Sequence, residues 1–350
     1  MILRACCARR VVFGLGGSRA LPSLVWIGLS MTAWGAAAAG GAEPLQPSTA
    51  RPRVPHVVFV TGDEEYRSEE SMPMLARILH RDYGFQVTVC YALGKDGTID
   101  PNNLENIGGL EAVDDADLLV MFTRFRKLPD DQLRHIVRYA ESGKPMVGFR
   151  TATHAFRYGS GPHAVAMDDA WPIQVFGQKW ITHHGHFGDG HELLTEVTIN
   201  PEFKDHPVLR GVQPFQAYSW LYHVEGGGDR LSGDCTRLLI GRALKTSHQK
   251  ELDRFPITNP VAWTKTSPPG SGRPARVFFT TLGHPYDFQQ EAMRKLAING
   301  ILWSLGREDT IPPEGAKAAI AGKYDPNNSG FGAKFKLGRR PEPIGRAARP

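Results

Sequence analysis

Cysteine is scarce in this chain, with four in 350 residues, and no CxxC or HExxH pattern occurs. That removes the commonest thiol-redox and zinc-hydrolase signatures. Cys6 and Cys7 lie near the N-terminus, in a segment with the marks of a leader, so only Cys90 and Cys235 would remain after its removal. Two cysteines make no disulfide framework for a domain of this size; one bridge or two buried thiols are the alternatives. Cys90 sits in the strand-like QVTVCYAL, which favours a buried thiol over a nucleophile. A strong charge of one sign is also missing. The net charge is +5, and much of the excess lies at the two ends: Arg4, Arg9, Arg10 and Arg19, then Lys334, Lys336, Arg339, Arg340, Arg346 and Arg349. The body is near neutral and mixes both signs, so there is no basic groove and no nucleic-acid partner is expected. Internal repeats are absent too, which excludes solenoids and propellers.

What is present begins with the leader. Arg9 and Arg10 precede the apolar LPSLVWIGLSMTAWGAAAA, which ends in small residues from Ala36 to Ala39. A charged region, an apolar region and an A-x-A type site together predict a signal peptide over 1–40, and hence export to the periplasm or beyond. A retained membrane anchor is the alternative, but Gly, Ser and the alanine-rich end favour cleavage and no stable span afterwards. The run Arg9-Arg10-Val11-Val12-Phe13 resembles a twin-arginine export signal. Residues 41–55 are Pro-rich and polar, as a linker would be.

From residue 56 the chain alternates. HVVFVTG, FQVTVCYAL, ADLLVMFT and KPMVGF read as strands, and SEESMPMLARILHRDYG and LPDDQLRHIVRYAESG as helices between them. The first helix opens at Ser68 and closes at Gly84; the second has Pro129 near its first turn and Gly143 at its end. Short apolar β-branched runs suit strands buried on both faces. The alternation predicts a flavodoxin-like, doubly wound α/β fold over 56–307, with a mostly parallel sheet and β-rich insertions in the second half. The insertions are ELLTEVTI, QAYSWLYHV, TRLLIGRAL and NPVAWTK, after which ARVFFTTLG leads into the helix DFQQEAMRKLAINGILWSLG. Residues 308–350 form a basic Pro/Gly-rich tail, either a strap or disordered.

Ligands of open α/β sheets bind outside the carboxyl ends of the strands. Four strand ends here are unusually polar: TGDEEYR (61–67), TRFR (123–126), FRTATHAF (149–156) and GHPYDF (283–288). If these strands are parallel, all four loops share one edge. The candidate acid and base are His154 and His284, whose free pKa lies near neutrality. Asp63 or Glu64 is the carboxylate partner, and Arg150 the electrophilic or anion-binding group. Thr123, Arg124, Trp180, Tyr222, Tyr286 and Asp287 are candidate binding residues. Several have structural alternatives. Glu65 and its neighbours could simply serve the following helix dipole, Thr153 and Asp287 could be helix N-caps, and His154 an interior histidine. Within WITHHGHFGDGHE, the residues His183, His184, His186 and His191 crowd together. His183, His184 and His186 could share a divalent ion such as zinc; hydrogen bonding to sugar, water or backbone is the other reading. Trp171, Trp180, Trp220 and Tyr222 could face the apolar side of a sugar or fill the core.

Taken together, VVFVTGDEEYR, LPDDQLRHIVRYAESGKPMVGFRTATHAF, HPVLRGV, NPVAWTK, RVFFTTLGHPYDF and LAINGILWSLGR resemble the ThuA-like (trehalose utilisation) family over roughly 56–307. The resemblance implies the sheet of class I glutamine amidotransferases and a link to catabolism of glycosides through 3-keto sugars. The partner it implies is a small-molecule carbohydrate. The family often reads G-x-H-x-A-T at the fourth strand end, whereas here Gly148 and Phe149 are followed by Arg150. No residue from 147 to 156 is Cys, so a cysteine-dependent amidotransferase is not expected. A hydrolase, lyase or isomerase acting on a glycoside or keto sugar is expected, with a non-catalytic sugar-binding accessory protein as the alternative.

Overall fold

The computed structural model describes residues 53–187, 190–267 and 275–345. The expected leader, almost all of the expected linker and the last five residues lie outside the described residues. The first half runs β1 (His56–Gly62), α1 (Ser68–Tyr83), β2 (Gln86–Ala92), β3 (Ile107–Gly108), β4 (Leu118–Thr123), α2 (Asp130–Glu141) and β5 (Met146–Phe149). The second runs α3 (Trp171–Phe176), β6 (Thr182–His183), β7 (Thr195–Ile199), β8 (Phe215–Ala217), β9 (Tyr222–His223), β10 (Thr236–Ala243), β11 (Thr258–Ser267), β12 (Ala275–Thr280) and α4 (Glu291–Ser304).

Ten strands make one sheet in the order β3-β2-β1-β4-β5-β12-β11-β10-β7-β8. The stretch from β2 to β12 is parallel throughout. FFTTLG therefore runs in the same direction as the first strand, and all four polar loops leave one edge. The insertions do not form a separate layer: β11, β10, β7 and β8 extend the same sheet in antiparallel fashion, and β3 caps the far edge. The sheet is thus mixed around a parallel core, rather than mostly parallel. The reason is that β12 turns straight back from β11, and such a return needs no crossover helix.

Period-2 alternation divides the core into two layers. From β1, Val57 and Phe59 pack with α1 and α4, whereas Val58 and Val60 pack with the layer of α2 and α3. Helices on both faces make the sheet doubly wound. Close approach is secured by glycine. A Cβ at Gly300 in α4 would lie 2.3 Å from the Phe278 ring, and one at Gly148 in β5 would lie 2.6 Å from Phe176 and Phe279. Cys90 and Cys235 are both free and buried, which settles the choice in favour of thiols. Among the described residues, no helix is long and apolar enough to cross a membrane.

Candidate functional site at the carboxyl edge of the parallel core

In the parallel core, β1 is followed on one side by β2 and on the other by β4, so the winding reverses between β1 and β4. This is where open sheets bind ligands. Among the described residues, Arg67, Phe125 and Arg150 are the only non-glycine residues with left-handed φ, at 55°, 52° and 42°. One lies in each loop after β1, β4 and β5. Such conformations carry strain and concentrate at functional sites.

The loop after β1 is organised by Asp63. This fully buried carboxylate accepts the backbone N–H groups of Glu65 at 2.7 Å and Tyr66 at 2.8 Å, and the Thr151 hydroxyl. It ties the first loop to the corner after β5, and its oxygens are occupied by protein donors. Glu64 is bound on both oxygens by guanidinium groups, Arg124 and Arg126. Glu65 differs. It is 6% exposed, lies 3.3 Å from the Nε of Arg124 and hydrogen-bonds to Tyr66. Burial pushes its carboxyl up to about 7, with Arg124 opposing and Asp63 adding. Ser68 does not cap α1; its hydroxyl accepts the Gly62 N–H, and the left-handed Arg67 holds the N-cap position.

At the corner after β5, the place of an amidotransferase nucleophile is held by Arg150, wholly buried and left-handed, leading into the turn 150–154. Its guanidinium donates to the Thr281 carbonyl at 2.9 Å, the Trp220 carbonyl at 3.3 Å and the Tyr66 hydroxyl at 2.9 Å. It lies over the rings of Tyr66 and Tyr222, at 4.1 and 4.6 Å. A group so enclosed contributes a fixed positive field rather than a ligand contact; only its Nε has no hydrogen-bond partner. Thr153 bonds back to the Arg150 carbonyl at 3.2 Å and caps no helix. His154 is 8% exposed, and its ring lies 5.1 Å from Phe125, 5.3 Å from Trp180 and 6.1 Å from Tyr222.

Asp287 does not cap α4, whose N-cap is Gln290. It is fully buried and accepts from the N–H groups of Tyr218, Gly283 and His284 and from the Ser219 hydroxyl. His284 is thereby fixed against Tyr218, stacked at 5.5 Å, with Tyr66 edge-on at 6.3 Å. Its Nδ1 accepts the Tyr286 N–H at 3.2 Å, so the proton resides on Nε2, which donates to the Ser329 hydroxyl at 2.9 Å. Ser329 belongs to the tail, which is an ordered strap across this edge. Gly330 donates to the Glu65 carbonyl at 2.8 Å, and the Phe331 ring lies 5.0 Å from the Arg124 guanidinium. Tyr286 stacks with His191 at 5.5 Å. Thr123 is buried at the end of β4, and its hydroxyl has no hydrogen-bond partner.

The histidine-rich segment forms a ribbon, β6 against β9. β6 ends at His183, and His184 lies in the bend just after it. His183 faces the site, stacked on Trp220 at 5.5 Å and edge-on to His186 at 4.5 Å. His184 points away to the Thr246 hydroxyl at 2.9 Å and lies edge-on to His248 at 5.7 Å. The expected three-histidine metal set is therefore not assembled. Among the described residues, no group of three or more His, Cys, Asp or Glu is arranged to hold a metal ion. Trp171 is likewise a core residue, packed edge-on against Phe156 and Phe176, whereas Trp180 and Trp220 belong to the site.

The imidazoles here are held neutral. Burial, then the charges of Arg124 and Arg150, keep His154 well below its ordinary value; burial and Arg150 do the same for His284. His183 is pushed down to about 3 by burial, with His186 and Arg150 adding. The edge thus gathers Glu65, a carboxyl titrating near neutrality, with neutral imidazoles, a buried cation and a wall of rings; burial pushes Glu69, in the first turn of α1, up to about 7 as well. Glu65, Tyr66, Tyr218, Trp220 and Ser329 complete it, although the sequence singled out chiefly other residues. For Glu65 the usable signal was its position two residues after an aspartate able to form a backbone-capping turn.

The arrangement defines an α/β protein whose mixed sheet has a parallel core and a polar, ring-lined edge at its winding reversal. The model of the ThuA family, described as trehalose utilisation, matches residues 56–304. The chain belongs to that family. Solved structures similar to it include a ThuA-like protein from Bacteroides uniformis, 15% identical, covering 78% of this chain and 99% of that one, with a TM-score of 0.45. A ThuA-like protein from Parabacteroides merdae is 18% identical over 81% of this chain and 99% of that one, also with a TM-score of 0.45. No curated protein matches the chain.

Proposed function

We propose that this protein processes a glycoside or its keto derivative by acid–base chemistry at the carboxyl edge, with Glu65 as the group that moves the proton. The family's tie to trehalose utilisation supports a sugar-related role. The observation that carries the reading is Glu65 itself, pushed up to about 7 and hydrogen-bonded to Tyr66, whose ring lies edge-on to Trp220 at 6.2 Å. A carboxyl half-protonated near neutral pH can both take and return a proton. The roles of His154 and His284 change accordingly: as neutral imidazoles they donate or accept hydrogen bonds and do not act as imidazolium acids. In a keto sugar, Glu65 would remove the proton next to the carbonyl, and the electron pair would move onto the carbonyl oxygen. The field of Arg150 would favour the oxyanion so formed. Trp180, His183 and Trp220 would face the apolar side of the sugar ring.

The test is a thermal-shift and turnover screen against glycosides and 3-keto glycosides, with and without chelator. A ligand at about 100 times its dissociation constant stabilises by roughly 2.7 kcal/mol. Turnover that disappears in Glu65→Gln while the sugar still binds supports the reading, and His284→Ala should weaken sugar binding, as loss of a hydrogen-bonding group does. Sugar binding with no turnover on any substrate favours an accessory binding protein using the same edge. We also propose that residues 1–40 are a cleaved export signal, with the twin-arginine pair as its route. N-terminal sequencing of the protein recovered outside the cytoplasm tests this, and an intact Met1 there would contradict it.

A further inference from the structure

The strap places consecutive residues on different parts of the site. Ser329 accepts from His284 Nε2 at 2.9 Å, and the Asn328 amide is 3.2 Å from His191 Nε2. Gly330 donates to the Glu65 carbonyl and accepts from the buried Arg67 guanidinium at 2.9 Å. On either side the chain is anchored independently. Upstream, Asn299 accepts the Ala316 N–H, Arg294 donates to the Ala318 carbonyl, and Tyr324 donates to the Pro285 carbonyl. Downstream, Lys336 pairs with Glu70, and the Arg339 carbonyl accepts the Ile99 N–H. Between these anchors the segment has no regular secondary structure and carries Gly330 and Gly332 with φ of 130° and 74°. Such a segment can move while its flanks stay fixed.

The Ser329 contact has the form of a ligand contact. It is a neutral hydroxyl accepting from a fixed imidazole N–H, between the rings of Tyr218 and Tyr66, and it is 5% exposed. We propose that residues 327–332 are a built-in occupant of the site, with the Ser329 hydroxyl standing where a sugar hydroxyl binds His284, and that a polyhydroxylated ligand displaces the segment on entry. The inference rests on the carbohydrate reading above and adds its regulation: affinity is reduced by the contacts the strap makes with the site in place of ligand.

The experiment compares the full chain with Ser329→Ala, using trehalose and methyl 3-keto-α-glucoside as probes. Binding is read by calorimetry, and amide exchange is followed across the strap. The variant is expected to bind roughly three- to tenfold more tightly, the range one neutral hydrogen bond supplies. Exchange at 329–331 should accelerate when sugar binds, while that at 316–320 stays unchanged. Binding at unchanged or weaker affinity in the variant, with no acceleration, overturns the displaced strap and leaves the carbohydrate reading standing. Absence of binding by both proteins overturns that reading and the strap proposal with it.

Discussion

Asp63 after β1 and Asp287 after β12 stand at the mouths of two parallel strands, and both are wholly buried. Each gathers donors from its own loop and from a distant one: Asp63 from Glu65, Tyr66 and Thr151, Asp287 from Gly283, His284, Tyr218 and Ser219. The difference lies in what each positions. Asp63 sets Glu65, whose carboxylate is left with a long ion pair to Arg124 and a hydrogen bond to Tyr66, and Asp287 sets His284, whose ring nitrogens are both occupied. The lesson is that an aspartate saturated by protein donors acts as scaffold, and the under-bonded neighbour is the group free for chemistry. The sequence alone invited the opposite choice, because Asp63 lies nearest the strand end.

The comparison breaks most readily at Asp287. Asp287→Ala strands the Tyr218 N–H and the Ser219 hydroxyl and leaves the Gly283 and His284 N–H groups only the Ser219 oxygen, and a loss of about 3 kcal/mol or more is expected in urea unfolding. A loss below about 1 kcal/mol would remove Asp287 as a hub. Asp63→Ala should cost somewhat less, since it has three donors. Gly148→Ala and Gly300→Ala test the packing beneath both loops, and overpacking against Phe176, Phe279 or Phe278 should cost roughly 1–3 kcal/mol in the same assay.

Titration sharpens the contrast. Glu65 has a folded pKa raised to about 7 from 4.5, so the folded state binds more protons than the unfolded one between those values. Its contribution is favourable below pH 4.5 and is lost as pH rises to about 7. Glu65→Gln should remove its share of that slope and leave the share of Glu69, which burial also pushes up to about 7. Buried neutral imidazoles act oppositely. His183 and His184, pushed down to about 3 and about 4 by burial, give stability that is present above pH 6.5 and lost as pH falls towards those values. If His183→Phe and the wild type showed the same change in melting temperature between pH 6.5 and 4, the neutral-imidazole wall would be contradicted. The smallest effect concerns the thiols. Burial pushes Cys90 and Cys235 up to about 12, so neither should react with a thiol reagent at pH 8 until the protein unfolds.

Much of the fold could be read from the chain, because VVFV, LLVMF and RVFF are short β-branched or aromatic runs whose length and flanking turns leave few alternatives. The strand-end rule also led to His154, His284 and Arg124 as residues of one edge. What could not be read depended on contacts between distant segments. Nothing in ELLTEVTI or TRLLIGRAL shows that they extend the parallel core instead of forming their own layer. The burial that makes Glu65 titrate near neutrality comes from packing, and Ser329 reaches His284 from a tail without periodicity. The histidine cluster misled because proximity in sequence is not convergence in space: His183 stacks on Trp220 and His184, just past the strand, bonds to Thr246.

The most direct test is the turnover of a 3-keto glycoside by the wild-type chain, Glu65→Gln and Asp63→Asn, each measured beside its melting temperature. The account predicts that Glu65→Gln keeps its fold and sugar affinity and loses about 100-fold or more in kcat. Asp63→Asn should lose stability, and its turnover should fall only as far as its folding does. A folded but inactive Asp63→Asn, with Glu65→Gln turning over like the wild type, would contradict it.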